Sequence, residues 1–135
     1  MNSPTLHAII FADRVIEEKN NKKGIIGTFD TIFAPNFPVT ALPWGVYVAL
    51  SGIENIVQFS LTLQGNDAKN PLIRLDGELK SNSKDSMIEL PLNFENVTFP
   101  EPGEYTFSLQ VDGKVVGARV IKLMIANMPG LLQGK

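Results

Sequence analysis

Hydrophobic and polar residues alternate along much of this chain. The clearest case is residues 57–64, in which every odd position is apolar and every even position is polar. The same period of two recurs over residues 44–50, 73–80, 88–94 and 105–111. Successive side chains of a β-strand point to opposite faces, so this alternation is typical of a sheet with one buried and one solvated face. These segments therefore predict β-strands.

Turn signals separate the predicted strands. Polar clusters occupy residues 66–71 and 81–86, and Asp112-Gly113 favours the type I′ turn of a two-residue hairpin. Pro91 falls inside the strand predicted over 88–94. Because proline cannot donate a hydrogen bond to a neighbouring strand, we place that strand at a sheet edge or Pro91 at a bulge. Short strands at this spacing predict an all-β sandwich of two antiparallel sheets, with about seven or eight strands.

Two stretches also permit a helix. Residues 12–19 contain neither glycine nor proline, and their apolar positions would fit one side of a helix. We favour strands here and over 118–128, because β-branched and aromatic residues begin both stretches. Residues 20–24 then form the turn of a first hairpin. The helical alternative for residues 12–19 stays open at this stage.

Composition narrows the class of protein. The chain has 135 residues, of which 44% are hydrophobic and 19% charged, which is ordinary for one globular domain. We assign residues 1–126 to that domain and 127–135 to a C-terminal tail. The sequence has no cysteine and one histidine. It therefore excludes disulfides, thiol catalysis and zinc sites that use thiolates or several imidazoles.

Charge and hydropathy bear on partners and compartment. A net charge of −2 gives no bias toward nucleic acid or an anionic membrane. The first residues lack the basic start of a signal peptide, and the apolar run over 8–12 is shorter than the stretch of about 7–15 residues that a signal peptide needs. We expect a cytoplasmic protein that binds neither nucleic acid nor membrane.

Several turn and strand motifs together resemble a known family. They are Ala12-Asp13, the segment 24–29 (Gly-Ile-Ile-Gly-Thr-Phe), Phe37-Pro38, and the closing stretch 99–107 followed by Asp112-Gly113. In this combination the chain resembles a functionally uncharacterised family of small bacterial β-sandwich proteins, over roughly residues 7–125. The resemblance implies a fold and a bacterial cytoplasmic origin, and it supplies no catalytic residues.

The stretch 101–107 is also similar to a corner found in immunoglobulin-type domains. There, a tyrosine two residues after a glycine bonds to upstream backbone and fixes the crossing between the sheets. Gly103 and Tyr105 occupy those positions here, with Glu101 and Phe107 in place of the usual aspartate and cysteine. The likeness implies an immunoglobulin-like sandwich in which Gly103 and Tyr105 form a structural corner.

Four charged residues interrupt apolar strands: Asp13, Arg14, Asp30 and Arg119. An unpaired charge would cost several kcal/mol if it were buried. A cross-strand pair of aspartate and arginine would remove that cost, and we favour this structural interpretation. The alternative is a small polar ligand pocket near Asp13, Arg14 and Asp30.

Some predicted strands are apolar on both faces, which a two-sheet monomer does not require. Ile10 on the first strand, Ile26 and Ile32 on the second, and Met124 on the last supply this surplus. Exposed apolar patches of more than a few hundred Å² usually meet a partner. We expect a homo-oligomer, most simply a two-fold dimer through Ile10, Ile26, Ile32 and Met124.

No pattern of catalytic, metal or cofactor-binding residues emerges. His7 has no nucleophile or carboxylate at a useful local spacing, and no run of acidic residues matches a calcium loop. We therefore expect no catalytic residues, no metal and no cofactor. The leading hypothesis is a non-catalytic interaction or assembly module whose other protein partners are unknown. The alternative is a domain that binds a small ligand.

Overall fold

Every regular element that the structure describes is a β-strand. The computed structural model describes residues 4–66 and 69–126, and the predicted tail over 127–135 lies outside them. In chain order the strands are β1 (Thr5–Glu17), β2 (Lys23–Phe29), β3 (Thr31–Ala34), β4 (Val39–Thr40), β5 (Trp44–Ser51), β6 (Asn55–Gly65), β7 (Ile73–Ser81), β8 (Ile88–Phe94), β9 (Thr98–Phe99), β10 (Gly103–Val111) and β11 (Lys114–Ile125).

Two sheets pack face to face. The first has the order β2-β1-β5-β8 and the second the order β3-β11-β10-β6-β7, while β4 and β9 form a separate pair. The prediction of an all-β, two-sheet sandwich is confirmed. The pairing of β3 with β11 is parallel, which departs from the expected antiparallel pattern.

The second predicted strand is divided in the structure. At Asp30 the chain leaves the first sheet, so residues 23–29 pair with β1 and residues 31–34 pair with β11. This division, together with short β4 and β9, raises the number of strands in the described residues above the predicted seven or eight. It also overturns the assignment of Ile26 and Ile32 to one strand.

β1 is a single strand through the ambiguous stretch. Residues 11–17 pair with β2 in antiparallel register, so the helical alternative for 12–19 is wrong. The turn lies at residues 18–22 and not at the predicted 20–24, because Lys23 and Gly24 already pair with β1. Within it the Glu18 N–H donates to the Lys22 carbonyl at 2.8 Å, and Asn21 has a positive φ of 67°. The other predicted hairpin turn is also present, because Asp112 and Gly113 have the two positive φ angles that type I′ requires.

The core lies between the two inner faces. Phe11 and Val46 come from the first sheet, and Leu61, Phe107 and Ile121 come from the second, and all five are fully buried. Each such side chain contributes about 1.5–3 kcal/mol of hydrophobic stabilisation relative to an exposed position. β8 is the edge strand of the first sheet, which fits the prediction made from Pro91.

Arg119 spans the gap between the sheets where β1 faces β11. Its Nη1 donates to the Ile9 carbonyl at 2.6 Å, and its guanidinium lies 5.3 Å from the centre of the Phe11 ring. Nearby, the Leu6 side chain occupies the space that a Cβ on Gly117 would take, so a larger residue at 117 would require Leu6 to move. One side of the sandwich is closed by these contacts.

Asn93 completes the first sheet where β5 begins. Its Nδ2 donates to the Val15 carbonyl at 2.9 Å, and its Oδ1 accepts from the Val15 N–H at 3.2 Å. A Cβ on the intervening Gly45 would lie 2.7 Å from Asn93 Oδ1 and from the Leu92 carbonyl oxygen. The Asn93 amide therefore joins β8 to β1 across a glycine, in the way that a backbone peptide group would.

Candidate functional site

A largely apolar cavity opens at one end of the sandwich, between β2, β3, β4 and the start of β5. Its volume is about 360 Å³, within the range of about 300–1,000 Å³ typical of ligand pockets. Aromatic and aliphatic side chains line most of it, including Phe29, Ile32, Phe33 and Trp44. Among the described residues that line it, Asp13 is the only charged one.

Asp13 reaches this cavity from an inward position of β1. It has the same parity along the strand as Phe11 and Val15, which are both buried, yet Asp13 is exposed. The opposing glycine on β2, Gly27, has a φ of +71°, and a Cβ there would lie 2.4 Å from Asp13 Oδ2. Gly27 therefore provides the space in which the carboxylate lies.

Trp44 forms the inner wall of the cavity and the centre of an aromatic cluster. It is only 3% exposed, and its ring centre lies 5.3 Å from that of Phe94 and 6.2 Å from that of Phe11. The Phe11 and Phe29 rings stack at 6.4 Å. Among the buried side-chain nitrogen and oxygen atoms of the described residues, the Trp44 Nε1 is the one that lacks a hydrogen-bond partner. This aromatic packing holds the cavity wall in place.

The four charged residues singled out in the sequence are not brought into one site. All four are exposed, so the expected cost of burial does not arise. The ion pairs of the described residues lie elsewhere, between Lys23 and Glu17 at 3.3 Å and between Arg74 and Asp76 at 3.1 Å.

Each of the four has its own surroundings. Asp13 lines the apolar cavity and, together with Arg14, a second and more polar cleft beside Asn93. Asp30 accepts a hydrogen bond from the Thr31 hydroxyl at 2.8 Å. Asp30 and Arg119 line a shallow depression beside Ile10, and Arg119 bonds to backbone as described above.

The four residues predicted for an oligomer interface occupy different surfaces. Ile10 and Ile26 lie on the outer face of the first sheet, where Ile26 is 50% exposed. Met124 is 48% exposed on the outer face of the second sheet. Ile32 is half-buried and packs against the core. A single interface through all four residues is therefore not available, because the two sheets turn these side chains in opposite directions.

The Tyr105 hydroxyl lies at the corner between β9 and β10. It donates to the Glu101 carbonyl at 2.6 Å and accepts from the Glu101 N–H at 3.2 Å. Gly103 has a φ of +135°, which favours glycine although a Cβ would meet no neighbour there. The corner lies where the chain passes from the β4–β9 pair into the second sheet.

His7 has a partner that sequence reasoning missed. Its Nε2 lies 2.7 Å from the Ser51 hydroxyl oxygen, because β1 pairs with the end of β5 and an irregularity falls between Leu6 and Ala8. The two residues are 44 positions apart in the chain, so no local spacing could have signalled the contact. Within residues 4–66 and 69–126, no group of three or more histidine, cysteine, aspartate or glutamate side chains could hold a metal.

Tyr47 and Glu89 form a second polar contact missed from the sequence, on the outer face of the first sheet. The Tyr47 hydroxyl donates to the Glu89 carboxylate. Partial burial, this hydrogen bond and the charge of Glu89 raise the pKa of Tyr47 from 10.0 to about 12. Tyr47 therefore stays protonated at neutral pH.

The fold and the cavity together define an all-β sandwich domain with an open apolar pocket at one end. The chain belongs to a family of unknown function, DUF6941, which matches residues 7–124. The resemblance to a functionally uncharacterised family, inferred from the sequence motifs, is confirmed. The curated proteins compared with the chain include no match.

Solved structures of similar shape have little sequence in common with this chain. One is the Pseudomonas fluorescens alkylpurine DNA glycosylase AlkC bound to DNA with an abasic site analog, at 8% identity and a TM-score of 0.49. The match covers 90% of this chain and only 30% of that protein. Another is an immunoglobulin-like protein from Pseudomonas aeruginosa, at 12% identity and a TM-score of 0.46, covering 90% of this chain and 96% of that one. No helix in the described residues is long and apolar enough to cross a membrane.

Proposed function

We propose that this protein is a non-catalytic assembly module that forms a two-fold homodimer through the outer face of β3 and β11. The observation that carries the proposal is a patch formed by Phe33, Val120 and Met124, which we call the β3–β11 patch. These side chains are 55%, 37% and 48% exposed, respectively. Phe33 and Met124 are direct partners across the parallel pair, so their side chains share one face.

Most of the rest of the same sheet face is polar. On β10 and β6 the outward positions are mainly serine, threonine, glutamine and Glu104, with Thr106 opposite Val120, and the apolar exception is Ile56 at the start of β6. A protein interface usually has an apolar centre and a polar rim. Here Lys122 lies between Val120 and Met124 on the same face of β11, opposite Glu104 on β10, so the patch contains one charged pair of positions among its apolar side chains. Of the ten exposed large hydrophobic residues in the described chain, four lie on the outer face of β3 and β11, namely Phe33, Val115, Val120 and Met124. This concentration favours a partner over chance exposure.

Three of the four edge strands of the two main sheets, all except β2, are poorly suited to association through an edge. β8 carries Pro91 and β7 carries alternating charges, from Arg74 to Lys80, and both features oppose the addition of another strand. β3 has only four residues, so its edge offers few backbone groups. A standard interface takes about 800 Å² from each partner. A second copy of this chain placed on the β3–β11 patch by a two-fold axis would meet the same apolar surface.

Light scattering after gel filtration, at tens of micromolar protein, tests the proposal. We expect a species of twice 14.8 kDa that the Met124→Glu variant converts to 14.8 kDa with an unchanged circular dichroism spectrum. The matched control is Ile56→Glu, since Ile56 is 55% exposed on the same sheet but lies away from the patch. A wild-type mass of 14.8 kDa, or a dimer that survives Met124→Glu, would refute the proposal.

A further inference from the structure

The apolar cavity combines a hydrophobic lining with one fixed carboxylate. Apart from Asp13, its polar lining consists of neutral groups such as the hydroxyls of Thr31 and Thr40. No arginine or lysine within residues 4–66 and 69–126 belongs to the lining. A site of this composition attracts a cation and disfavours an anion, because the single charge is negative and the walls are of low polarity.

The position of the carboxylate is set by the fold. Asp13 replaces a core residue on the inward side of β1, and the missing side chain of Gly27 leaves room for its Oδ2. In the described part of the chain, the Asp13 carboxylate has neither an ion-pair partner nor a hydrogen-bond donor. Its capacity to accept hydrogen bonds is therefore available to a bound molecule.

The walls of the cavity suit the apolar body of a ligand. The Phe29, Phe33 and Trp44 rings line it together with aliphatic side chains such as Val39 and Leu42. Aromatic faces add favourable contacts with a cation or with another ring. The cavity volume of about 360 Å³ suits a small molecule.

We propose that this cavity binds a small hydrophobic amine, whose apolar body lies against Trp44 and Phe29 and whose ammonium group pairs with the Asp13 carboxylate. The cavity shares Phe33 with the β3–β11 patch, whereas Asp13 and Trp44 lie outside that patch. The charge preference assigned to Asp13 can therefore be tested separately from self-association. Asp13 and Gly27 belong to the motifs noted in the sequence, and neither takes part in the proposed dimer. The amine site gives both residues a role.

Three probes of one shape test the charge preference: phenethylamine, phenethyl alcohol and phenylacetate. Trp44 is the only tryptophan in the chain, so its fluorescence reports directly on the cavity wall. Isothermal calorimetry provides a second readout that does not depend on fluorescence. We expect the amine to bind about fivefold more tightly than the alcohol, which corresponds to one partly exposed ion pair, and phenylacetate to bind weakest.

The Asp13→Asn variant keeps the size of the side chain and removes its charge. We expect it to bind the amine and the alcohol within about twofold of each other. The matched control is Asp85→Asn, because Asp85 is an exposed aspartate in the turn between β7 and β8, outside the cavity lining, and its variant should keep the wild-type preference. Urea unfolding of both variants establishes that they are folded. Equal binding of the three probes, an unchanged preference in Asp13→Asn, or binding of none of them would overturn the proposal.

Discussion

Replacing Asn93 by alanine tests how the first sheet is completed beside the cavity. The variant loses both hydrogen bonds to the Val15 backbone, at 2.9 and 3.2 Å, and leaves that N–H and carbonyl without their partner in β8. A hydrogen bond contributes a net 0.5–1.5 kcal/mol, so Asn93→Ala should lower the free energy of unfolding by about 1–3 kcal/mol. Urea denaturation with an unchanged slope measures the loss.

Two further variants sharpen this test. Asn82→Ala serves as the control, since Asn82 is an exposed asparagine in the turn between β7 and β8. Its substitution should change stability by less than about 0.5 kcal/mol. Asn93→Asp keeps an acceptor for the Val15 N–H but sets a carboxylate oxygen against the Val15 carbonyl, so it should be no more stable than Asn93→Ala. If Asn93→Ala costs less than about 0.5 kcal/mol, water replaces the amide and the reasoning is refuted.

Two other predictions concern the tyrosines. Tyr105→Phe removes both hydrogen bonds to the Glu101 backbone from a residue that is 5% exposed. It should lower the free energy of unfolding, measured by urea denaturation, by about 1–3 kcal/mol. A loss below about 0.5 kcal/mol would mean that the hydroxyl is solvated. In a Tyr105→Phe background, the ultraviolet absorbance of tyrosinate should titrate near pH 12, and Glu89→Gln should lower this midpoint toward 10.0. Because folding raises the pKa of Tyr47, its contribution to stability is complete below pH 10 and declines as the pH rises toward 12. If Tyr47 titrated near its ordinary pKa of 10.0 in the Tyr105→Phe protein that retains Glu89, the contact between Tyr47 and Glu89 would be contradicted.

The sequence determined the class of fold because the alternation of side chains is a local property. Residues 57–64 and 105–111 alternate apolar and polar side chains, and both segments are strands whose apolar side faces the core. The turn at Asp112-Gly113 also follows from local conformational preference. The hydrogen bond between Tyr105 and Glu101 is also local in the sequence, since Glu101 lies only four residues upstream.

Tertiary structure alone decided which surfaces meet. Asn93 bonds to Val15, which is 78 residues away in the chain, and Arg119 bonds to Ile9, which is 110 residues away. No local spacing in the sequence indicates either pair. The change of sheet at Asp30 has the same origin, because both halves of that stretch are good strands and only their partners differ. Local patterning fixes which face of a strand is apolar, whereas the packing of distant strands decides whether that face meets the core, a cavity or solvent.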